Sequence, residues 1–541
     1  MLATAVAMAG LFFSSAALAA DAPPTSPSGE GVKGAAIAAA ITANPDSALA
    51  QSLAAIEGTP LTLGEAVQAT LEGSTDVRSA EAAYRAARGA ARRERGAFDP
   101  ELFASTTWSE ADEPSASFFA GASVLRIRQT VASGGARVTL PLGTELSATL
   151  DATRYESNSS FDALKPQYDA ATTLSLRQPL LRGFGPGAWG ERAATGREVE
   201  AAKARYDDAV MAARAAVEQT YWDLYAAERD LAVQRLIRDQ AGALLEQAVL
   251  RNKAGLVGPN QVANARVFYA EQVQAVIDRE ESLDKTSDQL ASIIGRRPAG
   301  EATRYRPADE PPSDFPIAPE DSLVAHAVSR NNDLKARERA VAAARSRWTG
   351  ARWNAYPQLD VFGSMGGNGL AGRPQDVVFN GQTFRTNVSG GFGDAFAQAR
   401  DRKFPTWSAG VEVSIPIGFR EGAGERDRLH AETDRAEQDL IAARRSLSDR
   451  VRAGHRELVY ASRRLEAARA GVAASQEQVR IGIVEYANGR TTAFELVRLG
   501  ADLASAQQRY SQALVRTAKA AAELRLLTSG DYPSPAGTGG N

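Results

Sequence analysis

The chain of 541 residues contains no cysteine. Disulfides, thiolate metal sites, cysteine nucleophiles and lipid attachment to an N-terminal cysteine are all excluded. Histidine is nearly absent. His326, His430 and His455 stand far apart, each inside a helical pattern, so they predict helix-surface or packing roles and no metal site. Neither sign of charge dominates, with a net charge of −3, and nothing favours binding to nucleic acid. No nucleophile elbow, P-loop or metal-spaced His or Cys pair occurs, so no enzyme activity, cofactor or metal is expected. Past the first 20 residues no run of about 18 apolar residues exists, so no membrane-spanning helix is expected in the mature chain.

What is present begins with a segment of signal-peptide type at 1–20. Val6 to Leu18 is apolar or small and Ala17-Leu18-Ala19 offers a small-x-small cleavage pattern, although a positive leading segment is missing. An exported chain without spanning helices is either soluble or crosses a membrane with strands.

The dominant feature is duplication. Gly424 to Ser529 lies on Gly190 to Gly295 at an offset of 234 without a gap. Val451, Leu458 and Leu465 fall on Val217, Leu224 and Leu231. A second match, at an offset of 257, places Pro357-Gln358-Leu359 on Pro100-Glu101-Leu102. The first connecting region is therefore 23 residues longer than the second. A period this long marks a duplicated domain rather than a solenoid.

The order predicted is a signal at 1–20, a flexible arm at 21–60, a first repeat at 61–295, a linker at 296–318, a second repeat at 319–529 and a disordered tail at 530–541. The first repeat divides into a helix at 62–97, strands within 100–180, a long helix at 186–254 and a returning helix at 259–295. The second divides into a helix at 319–354, strands within 357–417, a long helix at 421–488 and a returning helix at 491–528. Thr62 with Glu65 forms a capping-box pattern, and Gly73-Ser74 is a candidate break. The strand regions show period two, as in Ala136 to Leu140, Thr144 to Leu150, Ala171 to Arg177 and Trp407 to Ile415. Gly363 to Arg402 is rich in Gly, Asn and Phe and predicts a long loop.

Two or three strands per half cannot bury a core, and they leave open edges. Either they form a small soluble sandwich, or they cross a membrane and several chains share one barrel. Helices of about 65 residues span about 100 Å, more than a globular domain needs. In the second copy Val451, Leu458, Leu465, Val472 and Val479 recur every seven residues. Gly454, Ala461, Ala468 and Ser475 follow three later. Such a seam with small partners allows close, left-handed helix packing.

Together, these features resemble the TolC-like outer membrane efflux proteins. Gln178-Pro179-Leu180-Leu181-Arg182-Gly183-Phe184-Gly185 and Ser414-Ile415-Pro416-Ile417 resemble the family's junctions between last strand and long helix. Ala254-Gly255-Leu256-Val257 and Gly489-Arg490-Thr491-Thr492 resemble its hairpin tips. The resemblance runs in order from about Thr62 to Ser529. It implies an α+β membrane protein and a homotrimer. Each chain would give four strands to a shared twelve-stranded antiparallel barrel in outer-membrane lipid, above a periplasmic coiled-coil tunnel. The implied partners are a periplasmic adaptor and an inner-membrane pump, and the implied role is an exit duct for efflux or type I secretion. The tip residues Gly255, Leu256, Val257, Gly489, Arg490, Thr491 and Thr492 would meet the adaptor. Acidic residues that the family places after the second tip carry over as Glu495, then Arg498, where the charge is reversed. Gln261 takes the corresponding acidic position of the first tip. The three are candidates for the pore constriction. The longer first connection, around Phe118 to Pro141, is expected to be an extracellular loop or hairpin extension rather than extra strands. The competing function is a periplasmic coiled-coil tether with a small soluble β domain.

Overall fold

A computed structural model describes residues 45–116, 120–298, 304–488 and 490–530. The segment of signal type, most of the arm, Gly489 and the tail from 531 lie outside the described residues. The first half runs α1 (Pro45–Ala54), β1 (Thr59–Leu61), α2 (Leu63–Gly73), α3 (Thr75–Gly96), β2 (Glu101–Pro114), β3 (Val124–Thr139), β4 (Glu145–Ser157), β5 (Leu164–Pro179), α4 (Pro186–Lys253) and α5 (Pro259–Ile294). The second runs β6 (Tyr305–Pro307), α6 (Glu320–Arg330), α7 (Asn332–Asn354), β7 (Gln358–Pro374), β8 (Asp376–Phe379), β9 (Gln382–Arg385), α8 (Phe392–Arg400), β10 (Phe404–Ser414), α9 (Arg420–Ala487) and α10 (Ala493–Leu527).

The chain forms two compact units. One gathers Ala226–Lys285 and Glu466–Gln512 with the segment ending at Glu57; the other gathers Gly58–Tyr225, Thr286–Leu465 and the chain from Ala513. In the second unit the opening helices are each broken. Ser74 stops α2 and caps α3, accepting from the Val77 amide, and Asn331 does the same between α6 and α7, accepting from the Leu334 amide at 3.0 Å. A single helix over 319–354 is therefore corrected to two. Asn331 also donates to the Leu527 carbonyl at 3.1 Å, which fixes the break against α10. Thr62 closes the capping box, its own amide donating to Glu65 Oε2 at 2.9 Å.

Six strands make one antiparallel sheet in the order β10-β7-β5-β4-β3-β2. Two expectations fail here. The chain supplies six strands, not four, so a twelve-stranded barrel from three chains is not what this sheet builds. The extra length of the first connection is strand, not loop. Its charges hid it. Arg126 pairs across the strands with Asp112 at 2.8 Å, Arg128 with Glu110 at 3.0 Å and Arg137 with Glu101 at 2.8 Å. Cross-strand ion pairs let charged residues occupy positions that alternation would reserve for one face. The predicted loop at 363–402 is also corrected: β7 continues to Pro374, and β8, β9 and α8 fill much of the rest.

Register sorts the sheet into two faces. One row reads Ala148, Leu174, Met365, Trp407; the next reads Leu146, Leu176, Gly363, Ala409. Leu102, Trp108, Val361, Val411 and Val413 lie on the same face, and Trp407 is 80% exposed. The opposite face is polar. Arg177 donates to Asp360 at 2.8 Å and to Glu412 at 2.9 Å, Ser133 to Asp151 at 2.6 Å, and the Ser364 and Ser408 hydroxyls lie 2.8 Å apart. A large apolar face left outside is not a soluble sandwich's arrangement.

Helix α8 lies on the apolar face. Ala395 and Ala399 pack on Ala170 and Ala371, with Tyr168 and Phe396 alongside. Gly369 makes this approach possible, because a Cβ there would lie 1.8 Å from the Ala395 carbonyl oxygen. The long helices bury most of the seven-residue series, with Val472 half-buried. Val217, Leu224, Val451 and Leu458 are wholly inaccessible. At Gly454 a Cβ would come within 3.0 Å of Leu524, so the small position brings α9 and α10 into close contact.

Candidate functional site at the hairpin tips

The two hairpin tips belong to the smaller unit. In the first, Gly255 adopts φ +68°, a conformation that favours glycine. The Leu256 amide donates back to the Arg251 carbonyl at 2.9 Å, and Asn252 donates from its side chain to the Val257 carbonyl at 2.8 Å. Pro259 then opens α5 without needing a partner for a missing N–H. The second tip repeats the closing bond. The Arg490 amide donates to the Glu485 carbonyl at 2.8 Å, the same six-residue loop at the offset of 234. Thr492 caps α10, its hydroxyl accepting from the Glu495 amide at 3.2 Å. Leu256 is 69% exposed, and Thr492 is also exposed; Val257 and Thr491 are half-buried.

The first turns of α10 are two-faced. Leu496 and Val497 are buried, and Leu496 packs against Ala243 and Leu250 of α4 and Ile483 and Tyr486 of α9. Glu495 and Arg498 lie outside this cluster. The structure brings them together, Arg498 donating to the Glu495 carboxylate at 2.7 Å. Gln261 is exposed on the other hairpin and takes no part in that ion pair.

Deeper in the same unit, Asp230 of α4 is a residue that sequence reasoning missed. Burial raises its carboxyl above the usual range, against hydrogen bonds from Gln508 and Gln512 and the charge of Arg279. No local motif marks it, because its partners come from two other helices. Gln240, one helical stretch further on, meets Gly500, where a Cβ would lie 2.8 Å from its amide nitrogen.

A sheet with one apolar and one polar face, in a chain that also carries long helical hairpins, is the make-up of a protein that enters a membrane with strands rather than helices. Among the described residues, no helix is long and apolar enough to cross a membrane. The family model described as outer membrane efflux protein matches residues 165–296 and 323–530, and the chain belongs to that family. Its fold is similar to the outer-membrane channel OprN, with a TM-score of 0.60, 16% identity and coverage of 87% of this chain and 90% of that one. It is similar to the Campylobacter jejuni CmeC outer membrane channel, with a TM-score of 0.60, 13% identity and coverage of 87% and 86%. The Vibrio cholerae outer membrane protein VceC gives a TM-score of 0.56, 15% identity and coverage of 87% and 97%. No curated protein matches the sequence. The chain is a TolC-like outer membrane protein that extends into the periplasm.

Proposed function

We propose that the chain acts as a homotrimeric exit duct, taking cargo from an inner-membrane pump and a periplasmic adaptor across the periplasm and outer membrane. Tripartite efflux and type I secretion both use such a duct. The supporting observation is the two-faced sheet with unpaired edge strands, which leaves its apolar face uncovered outside the patch under α8 and does not close on itself within the described residues. A periplasmic tether with a small soluble β domain would need that face covered. The tip residues Gly255, Leu256, Val257, Gly489, Arg490, Thr491 and Thr492 are the proposed adaptor contact.

Three copies would present Glu495, Arg498 and Gln261 toward a common axis at the inner end. The ion pair between Glu495 and Arg498 then weakens the negative field that Glu495 alone would create. The test is ion selectivity of purified protein in planar bilayers. Arg498→Ala is expected to raise cation preference severalfold and Glu495→Gln to lower it. Trimers that conduct with unchanged selectivity in both variants would remove these residues from the constriction. A monomer that passes no ions would remove the duct.

A further inference from the structure

Helix α8 lies at the end of the sheet remote from the long helices, because β7 leaves α7 and β10 runs on into α9. It is firmly seated. Gln398 accepts from the Leu370 amide and donates to the Leu370 carbonyl, both at 3.2 Å, so it pairs the edge of β7 beyond the point where β10 begins. Thr172 donates its hydroxyl to the Ala399 carbonyl at 3.1 Å.

The last turn of α8 falls where the exposed apolar run ends. On β10 the apolar face carries Trp407, Ala409, Val411 and Val413, and Ile415 follows just past the strand. From Trp407 to Ile415 is about 27 Å along an extended strand. Tilted as barrel strands are, this gives about 20 Å of height, close to the apolar band of about 25 Å that aromatic residues flank. Trp407 therefore marks the level where hydrocarbon gives way to headgroups. Arg402 stands just beyond it. Its Nε donates to the Gly366 carbonyl at 3.2 Å, and its Cα would lie 2.9 Å from a Cβ on Gly367, which pairs with Pro405.

This turn carries an excess of positive charge. Arg400, Arg402 and Lys403 are exposed, and the one carboxylate among them, Asp401, is held by Arg400 at 2.9 Å. The residues that β5, β7 and β10 place on the apolar face include no acid. Arg402 also occupies a position that the backbone alone would give to glycine. The Lys403 amide donates to the Gln398 carbonyl at 3.0 Å, which closes the helix, and Arg402 has φ +53°. Glycine is the usual residue there, because an L side chain is strained in the left-handed region. The turn does not account for a guanidinium at this place; an anion outside the sheet does.

We propose that the last turn of α8 binds the phosphate of an anionic outer-leaflet lipid, with Arg402 and Lys403 on the phosphate and Trp407 against the acyl chains. A guanidinium grips phosphate oxygens through paired N–H donors, and an ammonium adds a point charge. Lipid is the occupant because the turn continues the apolar face of an outer membrane protein. The site rests on that face meeting lipid and not on the duct proposed above.

The probe is phosphatidylglycerol, with phosphatidylcholine as the zwitterionic reference, added to the purified full chain in detergent. Native mass spectrometry counts the lipid retained, and hydrogen exchange follows the amides of Arg400 to Phe404. The chain is expected to retain phosphatidylglycerol in preference and to slow exchange in the turn. Arg402→Gly/Lys403→Ala is expected to retain about tenfold less. Its thermal stability is expected to stay equal or rise, since glycine relieves the strained backbone, whereas a purely structural role for Arg402 gives the reverse. The control Arg463→Ala/Arg469→Ala removes the same charge from α9 and is expected to leave retention unchanged. No preference in the parent chain, or an equal loss in the control, would overturn the site. So would protection of the turn by inorganic phosphate alone, which is an anion site without lipid, or equal protection in lipid-free trimers, where a second copy covers it. A chain that conducts ions without this preference leaves the duct standing, and a non-conducting chain that keeps the preference leaves the site standing.

Discussion

At the scale of residues, Tyr221 shows how one buried hydroxyl holds a connection in place. It is wholly inaccessible, donates to the Leu61 carbonyl at 2.9 Å, and accepts from the amides of Ala308 and Asp309 at 3.1 and 3.0 Å. That ties β1 and β6, the short parallel pair beside it, to α4. Tyr221→Phe removes the acceptor but keeps the ring. It is expected to cost about 1–3 kcal/mol, the penalty for buried amides left unpaired, and to speed hydrogen exchange at Ala308 and Asp309. Asp230 acts in the opposite sense. Burial raises its carboxyl in the fold above the ordinary aspartate range, so the folded state holds that proton more tightly than the unfolded one. Its contribution to stability is greatest below 3.8 and is lost as pH rises through the folded value. Asp230→Asn is therefore expected to flatten this part of the pH dependence of thermal unfolding, and to leave neutral-pH stability equal or higher. A steeper dependence would contradict the assignment. Neither residue was visible in the sequence, because each draws its environment from helices or strands far away along the chain.

Elements were legible where periodicity and burial agree. The series Val451, Leu458 and Leu465 announced the helix seam, and all three are buried. The strands were legible only in part. Ala136 to Leu140 alternates openly, but Arg126 and Arg128 break the alternation of β3, and their partners Asp112 and Glu110 sit 14 and 18 positions earlier. β7 was hidden by its glycines. Gly363, Gly366, Gly367 and Gly369 suggested a loop, whereas Gly367 and Gly369 serve to admit α8. The reason for those glycines lies in the helix they face, about thirty residues later. Gly369→Val therefore should not disturb strand pairing, since valine favours strands; it should displace α8. The expected result is faster proteolytic cleavage between Gln375 and Lys403 with the β5–β7 junction retained. Unchanged cleavage would mean that α8 does not depend on this contact.

For the whole molecule, the duplication made the pair of hairpins legible, and the tip turns follow it down to the bond from Arg490 to Glu485. It could not show the sheet's width, because β3 and β4 have no counterparts in the second half. Their insertion nevertheless obeys a topological rule. β2 leaves the helical end, β3 returns, β4 leaves and β5 returns, so an added pair keeps every connection and every neighbour antiparallel. Removing the pair should be equally lawful. Deleting Val124–Ser157 brings β2 and β5 together as an antiparallel hairpin, and the registers through β3 and β4 carry Trp108 to the level of Tyr168, which keeps the apolar faces aligned. The deleted chain is expected to assemble as a trimer with a barrel about two-thirds as wide, since width follows strand number. Electron microscopy of particles in lipid discs measures that width directly. A barrel of unchanged width would mean that β3 and β4 never formed part of the wall.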